Sequence, residues 1–585
     1  MKKNILLLTI VCLSLLSCNH KRSSFDEVEY FPYQQNEGGK WGLISTDGKV
    51  LFSEMFDNEP TMAINGRFMV KNMDGLWEIY SAEAEPQKIG GEYLQAGMFY
   101  EDVAPVVEKG KPIQFINRDG KVKVTLEDIG DAPVTECKQF SGGLAPIKVG
   151  GLWGAVDTKG NVVVEPLYTW LDIDETGKIV GLEEKYEKSG WDEKRFSILN
   201  IDGKNIGYIN AKSIDELRYV QYGYRSLIHC IGDGVIVSVQ TNGKNVDGLL
   251  GINGEWLIKP SEKILKFHEY RDGYFTYSNE NGYGVAELDG DIVLQAEFKE
   301  LYLSDGGLLL GKKTESEGYA LYNIEGEKLG KNVYQQVFSF HKNKEYTIAH
   351  TKEGGYLLIG RGGKEKELEN SVFHISGIGT IPTYKFDRDC IDMSDIVKGL
   401  NITKNGFLGM TTELSVPKAI DTFNNNNHTK ERINGNPYNY SYGYGVNAIG
   451  SILFGVASAY VYVNIFNHVV RGPIERNGFI LNGFKWDDKP VTLYNIEFCS
   501  DTSKRLEGRM KELFDVLVNV TKSTGKVIKK SINANVVDTG NGNYYHVYCA
   551  GDKVGLYYGK FNPDNVMITH YDKASEKNPV RVVVP

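Results

Sequence analysis

Cysteine is scarce in this chain. Seven occur in 585 residues and no two stand as CxxC, which excludes a local redox motif and a cysteine zinc cluster. Cys12 and Cys18 lie in the N-terminal segment. Cys137, Cys230, Cys390, Cys499 and Cys549 are an odd, scattered set and not a disulfide framework. Cys499 and Cys549 end strand-like runs, so they are a candidate pair in an oxidising compartment; two unpaired buried thiols are the alternative. The ten histidines include no HxxxH, and GxSxG, a Walker A loop and a complete calcium loop are all missing. A triad assembled from distant residues leaves no local trace, and nothing here supports one. No cofactor or metal is called for. Basic residues do not cluster beyond the extreme N-terminus, and the net charge is -10, which argues against a nucleic-acid partner. Long apolar runs are few. Residues 447–466 carry no charge and are long enough to span a bilayer, but the alternating, β-branched and aromatic content of 459–466 favours buried strand.

Glycine and tyrosine, by contrast, are abundant, at 65 and 35 residues. Together they suit many short strands joined by tight turns, because tyrosine fills pleated surfaces and glycine supplies positive φ. The chain is too long for one core, so two or more domains are expected. One skeleton recurs. From Trp153, a glycine follows seven residues later (Gly160) and an aromatic fifteen later (Tyr168). The same offsets join Trp41 to Gly48 and Phe56, Tyr283 to Gly290 and Phe298, and Tyr319 to Gly326 and Tyr334. Nine modules fit this template, anchored near Trp41, Trp77, Ile113, Trp153, Phe196, Leu249, Tyr283, Tyr319 and Tyr356. Each holds three strand-like pieces with an Asp-Gly-type hairpin signal between the second and third. No module of this size buries enough to fold alone, so neighbours must stack. The anchors Trp41, Trp77, Trp153, Tyr283, Tyr319 and Tyr356 are therefore read as core residues holding the array together, not as ligand contacts.

The stretches GGKWGLISTDGKV and GGLWGAVDTKGNVVVEPLY resemble the WG (KWG) repeat, a bacterial β-repeat family. The resemblance covers residues 28–370 and brings no established enzymatic activity, so it carries over no catalytic residue. It implies a mainly β N-terminal array of three-stranded antiparallel repeats over 28–375. An open superhelical array is favoured slightly over a closed propeller, because nine short modules exceed the usual blade number.

The N-terminus reads as an export segment, with Lys2 and Lys3 before an apolar stretch from Ile5 to Leu16. It ends in Leu15-Leu16-Ser17-Cys18, which resembles the lipobox of bacterial lipoproteins. That resemblance implies a signal peptide over 1–17, lipidation at Cys18, a tether over 18–27 and anchoring to a membrane. An ordinary signal peptide is the alternative. The non-acidic residues after Cys18 favour the periplasmic side of the outer membrane.

After Ile375 the period stops. Residues 376–445 read as a mixed linker region, with a short helix at 416–423 capped by Ser415, solvated acidic residues (Asp387, Asp389, Asp392) and Tyr/Asn-rich loops. Residues 446–585 read as an α+β domain. Leu506, Met510, Leu513, Phe514, Leu517 and Val520 form one helical stripe among strands near 491–498, 533–537, 544–549, 554–558 and 566–570. The expected function is a non-catalytic envelope lipoprotein whose β array is a scaffold for a protein or glycan partner. The alternative is an envelope hydrolase, glycan- or ester-directed, with its site in the C-terminal domain.

Overall fold

The computed structural model describes residues 28–563 apart from internal stretches, the longer being 187–191, 211–229, 378–384, 426–437, 487–492 and 500–508. Cys18 and the 566–570 strand candidate lie outside the described residues, as does half of the 416–423 helix. Lys418, Ala419, Asp421 and Thr422 of that helix are helical. Two compact units result. The first holds 28–70 and 78–388, and the second holds 71–77 and 389–563.

The first unit is mainly β. Among the described residues, nine four-stranded antiparallel sheets follow one another along the chain, each with one strand more than the sequence pattern suggested. Sheets 1 and 2 are joined into one eight-stranded sheet by pairing of Val28–Gln34 with Ala63–Ile64, and sheet 4 gains a fifth strand. Sheet 4 is built from Val134–Lys138, Leu144–Val149, Leu152–Asp157 and Val162–Tyr168. Sheet 8 is built from Glu300–Ser304, Leu308–Lys312, Tyr319–Asn323 and Lys328–Tyr334. The additional strand is the first of each sheet. In five sheets it is two residues long (His374–Ile375, Ala63–Ile64, Gln95–Ala96, Cys230–Ile231 and Gln336–Val337), too short to show a period of two.

Sheet 1 shows how the array ends. Its first strand is His374–Ile375, from the far end of the repeats, which pairs with Gln34 and Tyr33. Phe31 of sheet 1 packs on Phe338, beside the first strand of sheet 9, with ring centroids 4.9 Å apart. Gly48 of sheet 1 meets Leu358 and Leu368. The last sheet thus packs on the first, and a strand from the end of the array completes the sheet at its beginning. Of the two arrangements the sequence left open, the closed propeller is the one seen, not the open array. Shared apolar clusters join sheets 4 and 5, 6 and 7, 7 and 8, and 8 and 9.

The second unit has an eight-stranded antiparallel sheet. Its order is Tyr438–Tyr440, Gly443–Phe454, Ala457–Asn467, Leu493–Cys499, Lys553–Gly559, Tyr544–Ala550, Ala534–Asp538 and Lys526–Lys530. The uncharged 447–466 run is therefore two sheet strands. Among the described residues no helix is long and apolar enough to cross a membrane. The helix Met510–Lys522 lays Leu513, Phe514 and Leu517 on one sheet face, against Tyr494, Ile496, Tyr545, Val547, Leu556 and Tyr558. Each such side chain contributes about 1.5–3 kcal/mol gross on burial.

A second helix, Met393–Leu400, belongs to the same core, although the sequence pattern had assigned it to a linker. Asp392 caps it, its carboxylate accepting from the Ser394 N–H, and Met393, Ile396, Val397 and Leu400 form the buried stripe. Tyrosine hydroxyls fasten the loop that follows. Tyr545 Oη lies 2.7 Å from the carbonyls of Thr403 and Gly406, and Tyr494 Oη donates to Thr411 O at 2.8 Å. Cys549 is a free thiol, so the candidate pair with Cys499 is not formed.

Candidate interaction surface

The spacing that recurs in the sequence is the register between the third and fourth strands of a sheet. Trp41 pairs across the sheet with Phe56, Trp153 with Tyr168, Tyr283 with Phe298 and Tyr319 with Tyr334. The glycine midway turns the chain. Gly48, Gly160, Gly290 and Gly326 all have φ between 84° and 90°, and each N–H donates to the carbonyl three residues earlier at 2.9–3.0 Å. The glycine that follows the tryptophan has a separate cause. The fourth strand bulges at this level, and its backbone carbonyl presses on Gly42, Gly154 and Gly284. A Cβ at any of the three would lie far inside contact distance of Phe52 O, Val164 O or Leu294 O.

The anchors do not converge on one point; each stands in its own sheet. Trp77, Trp153 and Tyr319 are buried, while Trp41, Tyr283 and Tyr356 are half-buried. Each meets polar groups from the neighbouring strands, which the sequence pattern did not reveal. Lys71 Nζ lies 4.9 Å from the centroid of the Trp77 ring. Lys138 and Lys148 lie 5.3 and 5.5 Å from Trp153, and Lys148 also pairs with Glu136 at 3.0 Å. Against the upward push of burial, bonds from Lys385 and Lys148 hold the Glu136 carboxyl below its ordinary range. In sheet 8, Lys312 is almost wholly buried and pairs with Glu300 at 2.5 Å. The Tyr319 hydroxyl donates to the same carboxylate. Burial first, and that hydrogen bond second, raise the Tyr319 phenol well above its usual value.

Trp41 and Tyr356 share a partner. Both meet His374 of the closing strand, Trp41 edge-on at 5.9 Å between ring centroids and Tyr356 through its hydroxyl, 3.4 Å from Nδ1. The Tyr356 hydroxyl also accepts from the Ile375 N–H at 3.1 Å. His268 pairs with Ser278 at 2.8 Å and lies against Tyr283. His374 braces the sheets from within, whereas His268 does so from the exposed side.

Acidic side chains link successive sheets in the same spirit. Glu29 accepts from the N–H of Gly66 at 2.9 Å, Glu101 from Gly143 at 3.0 Å and Asp272 from Gly306 at 3.4 Å. Gly66, Gly143 and Gly306 each sit in the turn that opens the next sheet.

Residues 153–175 match the family model of the WG containing repeat. The chain carries a WG repeat. The match begins at the anchor Trp153 and runs through the fourth strand of sheet 4 into the first strand of sheet 5. No curated protein matches the chain. Among solved structures, one described as the eukaryotic initiation factor is similar over 62% of this chain and 99% of its own, at 11% identity and a TM-score of 0.42. The computationally designed Ika8 protein is similar over 53% and 98%, at 13% identity and 0.29. BamB from Moraxella catarrhalis is similar over 53% and 84%, at 12% identity and 0.26.

With Trp77, Trp153 and Tyr319 buried and the other three anchors half-buried, much of the surface of the array is set by other residues. Among the described residues of the chain, eight large apolar side chains stand exposed, of which Met55, Val122, Leu167 and Leu257 lie on fourth strands of the array, Leu167 being 64% exposed. Met55 and Leu167 occupy the same repeat position, fourteen residues after Trp41 and Trp153. A charged groove of about 570 Å³ lies between the turns of sheets 3 and 4, lined by Glu101, Asp102, Arg118, Asp119, Lys123 and Lys159. Its Arg118 and Asp102 pair at 2.8 Å. Among the described residues, no group of three or more His, Cys, Asp or Glu is placed to hold a metal ion.

In the second unit, His546 lies on the sheet face opposite the long helix, beside Tyr548, Tyr557 and Phe561. Burial pulls its imidazole down to about 4 from an ordinary 6.5. The folded state therefore refuses a proton that the unfolded chain takes up between those values. Stability from this group is complete above about pH 6.5 and is lost as pH falls toward 4. The urea midpoint of the second unit is expected to fall between about pH 7 and pH 5, and His546→Gln to flatten that fall. An unchanged slope in the variant would assign the pH dependence to other groups.

Proposed function

We propose that this protein is a lipid-anchored, non-catalytic lipoprotein of a bacterial cell envelope, attached through Cys18, whose β repeats form a scaffold that presents a surface to a protein or glycan partner. One observation supports this reading: the anchors and their charged companions brace the sheets, while four of the eight exposed large apolar side chains stand on fourth strands. Apolar residues standing singly on a surface need no explanation, but Met55 and Leu167 recur at one repeat position, so the fourth strands offer a repeated apolar contact. The non-acidic residues after Cys18 favour the periplasmic face of the outer membrane.

The anchor is tested by Cys18→Ser. Each buried methylene holds the chain by about 0.8 kcal/mol, and stable attachment takes more than one acyl chain. The variant is expected to move from the membrane pellet to the soluble fraction and to lose incorporation of a labelled fatty acid. Retention in the pellet would remove the lipoprotein reading. The scaffold is tested in intact cells with a photocrosslinker at Met55 or Leu167, scored against one at Gly362, which lies off the fourth strands. Turnover of a glycan or ester by the full chain, abolished by one carboxylate or histidine substitution in the second unit, would replace the scaffold with a hydrolase.

A further inference from the structure

The first strand of a propeller sheet borders the centre of the ring, and its inner edge has no partner within its own sheet. In sheet 4 that edge is occupied. After closing sheet 1 at His374–Ile375, the chain returns as the strand Lys385–Asp387 and pairs antiparallel with the first strand of sheet 4. Lys138 faces Lys385, Cys137 faces Phe386 and Glu136 faces Asp387.

The fit is made by side chains as well as backbone. Phe386 is completely buried. Its ring sits on Gly97 of sheet 3, where a Cβ would come within 2.6 Å of Phe386 Cζ, so the absence of a side chain at Gly97 makes the floor of the pocket. Buried Gln95 accepts from the Asp387 N–H at 2.8 Å through its side-chain oxygen, and Thr135 O accepts from the Arg388 N–H at 2.9 Å. The two basic residues flanking Phe386 meet carboxylates: Lys385 pairs with Glu136 at 2.5 Å and Arg388 with Asp128 at 3.1 Å.

A sheet edge that takes an extended segment by backbone pairing, with a pocket for one side chain and opposite charges on either side, is the geometry of peptide recognition by strand addition. We infer that the inner edge of sheet 4, with Gly97, Gln95, Glu136 and Asp128, is a docking site for an extended segment bearing an aromatic residue between two basic ones, filled in cis by Lys385–Arg388. A protein partner presenting such a segment competes with the chain's own strand. This rests on the protein-partner form of the scaffold reading and names the chemistry that the partner must have.

The test uses the full chain and a labelled peptide of residues 384–389, Tyr-Lys-Phe-Asp-Arg-Asp. In Phe386→Ala the cis segment loses its pocket residue, and the peptide is expected to bind, read by fluorescence anisotropy. Wild type should bind it about 100-fold more weakly or worse, because a tethered segment competes at an effective concentration of order 1 mM. A peptide with its phenylalanine replaced by serine should not bind, and Glu136→Gln with Asp128→Asn in the Phe386→Ala background should weaken binding. Gly97→Val supplies a control from the floor: it removes the pocket, so the peptide should fail to bind Phe386→Ala when Gly97→Val is added.

If Phe386→Ala melts cooperatively yet binds no peptide at about 1 mM, the site is refuted. Equal binding to wild type and variant refutes occupancy in cis. If Phe386→Ala does not fold, hydrogen exchange on wild type decides, since excess peptide must accelerate exchange at the amides of 386–388 and leave those of sheet 8 unchanged. Peptide binding without any cellular partner would leave the site standing and remove the scaffold reading, so the two failures are distinguishable.

Discussion

Trp153→Ala is expected to lower the unfolding free energy of the first unit by about 3–5 kcal/mol, measured by denaturant titration of the full chain. The ring is 7% exposed and belongs to the apolar cluster that joins sheets 4 and 5, with Leu144, Tyr168, Leu171 and Ile179. Removing it leaves a cavity at a sheet junction and strips two ammonium groups of the ring they face. Lys138 is the more affected, because burial already depresses its pKa; it keeps Leu171 O at 3.1 Å, Asp172 at 3.8 Å and the Trp170 ring at 5.9 Å. Trp153→Phe should recover more than half of the loss. An unchanged midpoint for Trp153→Ala would mean that the ring is not a structural anchor and would revive a ligand role.

Gly154→Ala is the second large effect, about 3 kcal/mol from a single methyl group. The new Cβ would meet backbone atoms: Val164 O, Pro166 N at 2.8 Å and Glu165 C at 3.0 Å. No side chain there can swing aside, so the bulge of the fourth strand must flatten, taking the Trp153–Tyr168 pair with it. Gly362→Ala is the matched control. A Cβ at Gly362 meets nothing within 4 Å, and the expected change is under about 0.5 kcal/mol. Equal effects at the two positions would refute the steric account of the tryptophan–glycine pair.

The parts of this fold that were legible in the sequence are those with a fixed local register. The third and fourth strands are joined by a three-residue turn ending in the glycine, so glycine at plus seven and an aromatic at plus fifteen recur wherever that hairpin does. The first strands pair over as few as two residues and carry no alternation, which is why three strands were visible where four exist. Closure could not be read either, because His374–Ile375 has no local mark of pairing with Tyr33 and Gln34, over three hundred residues earlier.

The helix Met393–Leu400 is different, since its signals were present. Asp392 stands at the cap, and Met393, Ile396, Val397 and Leu400 have helical spacing. They were masked by neighbouring acidic residues that read as a solvated linker. As for the candidate site, single residues such as Trp153 and Cys18 were conspicuous in the sequence. The Lys–Glu companions of the anchors were not, because they arrive from other strands.

The closing strand has a consequence for how the molecule is made. Sheet 1 begins at Val28, yet its first strand arrives only with His374, so a chain emerging from its N-terminus exposes an unfinished edge until nearly two thirds of it has been synthesised. Through that interval Tyr33 and Gln34 offer bare backbone to any extended polypeptide nearby. Fidelity of assembly therefore depends on guarding one sticky border while the remaining sheets are laid down, and a truncation before residue 374 should be more prone to aggregate than one made after residue 388.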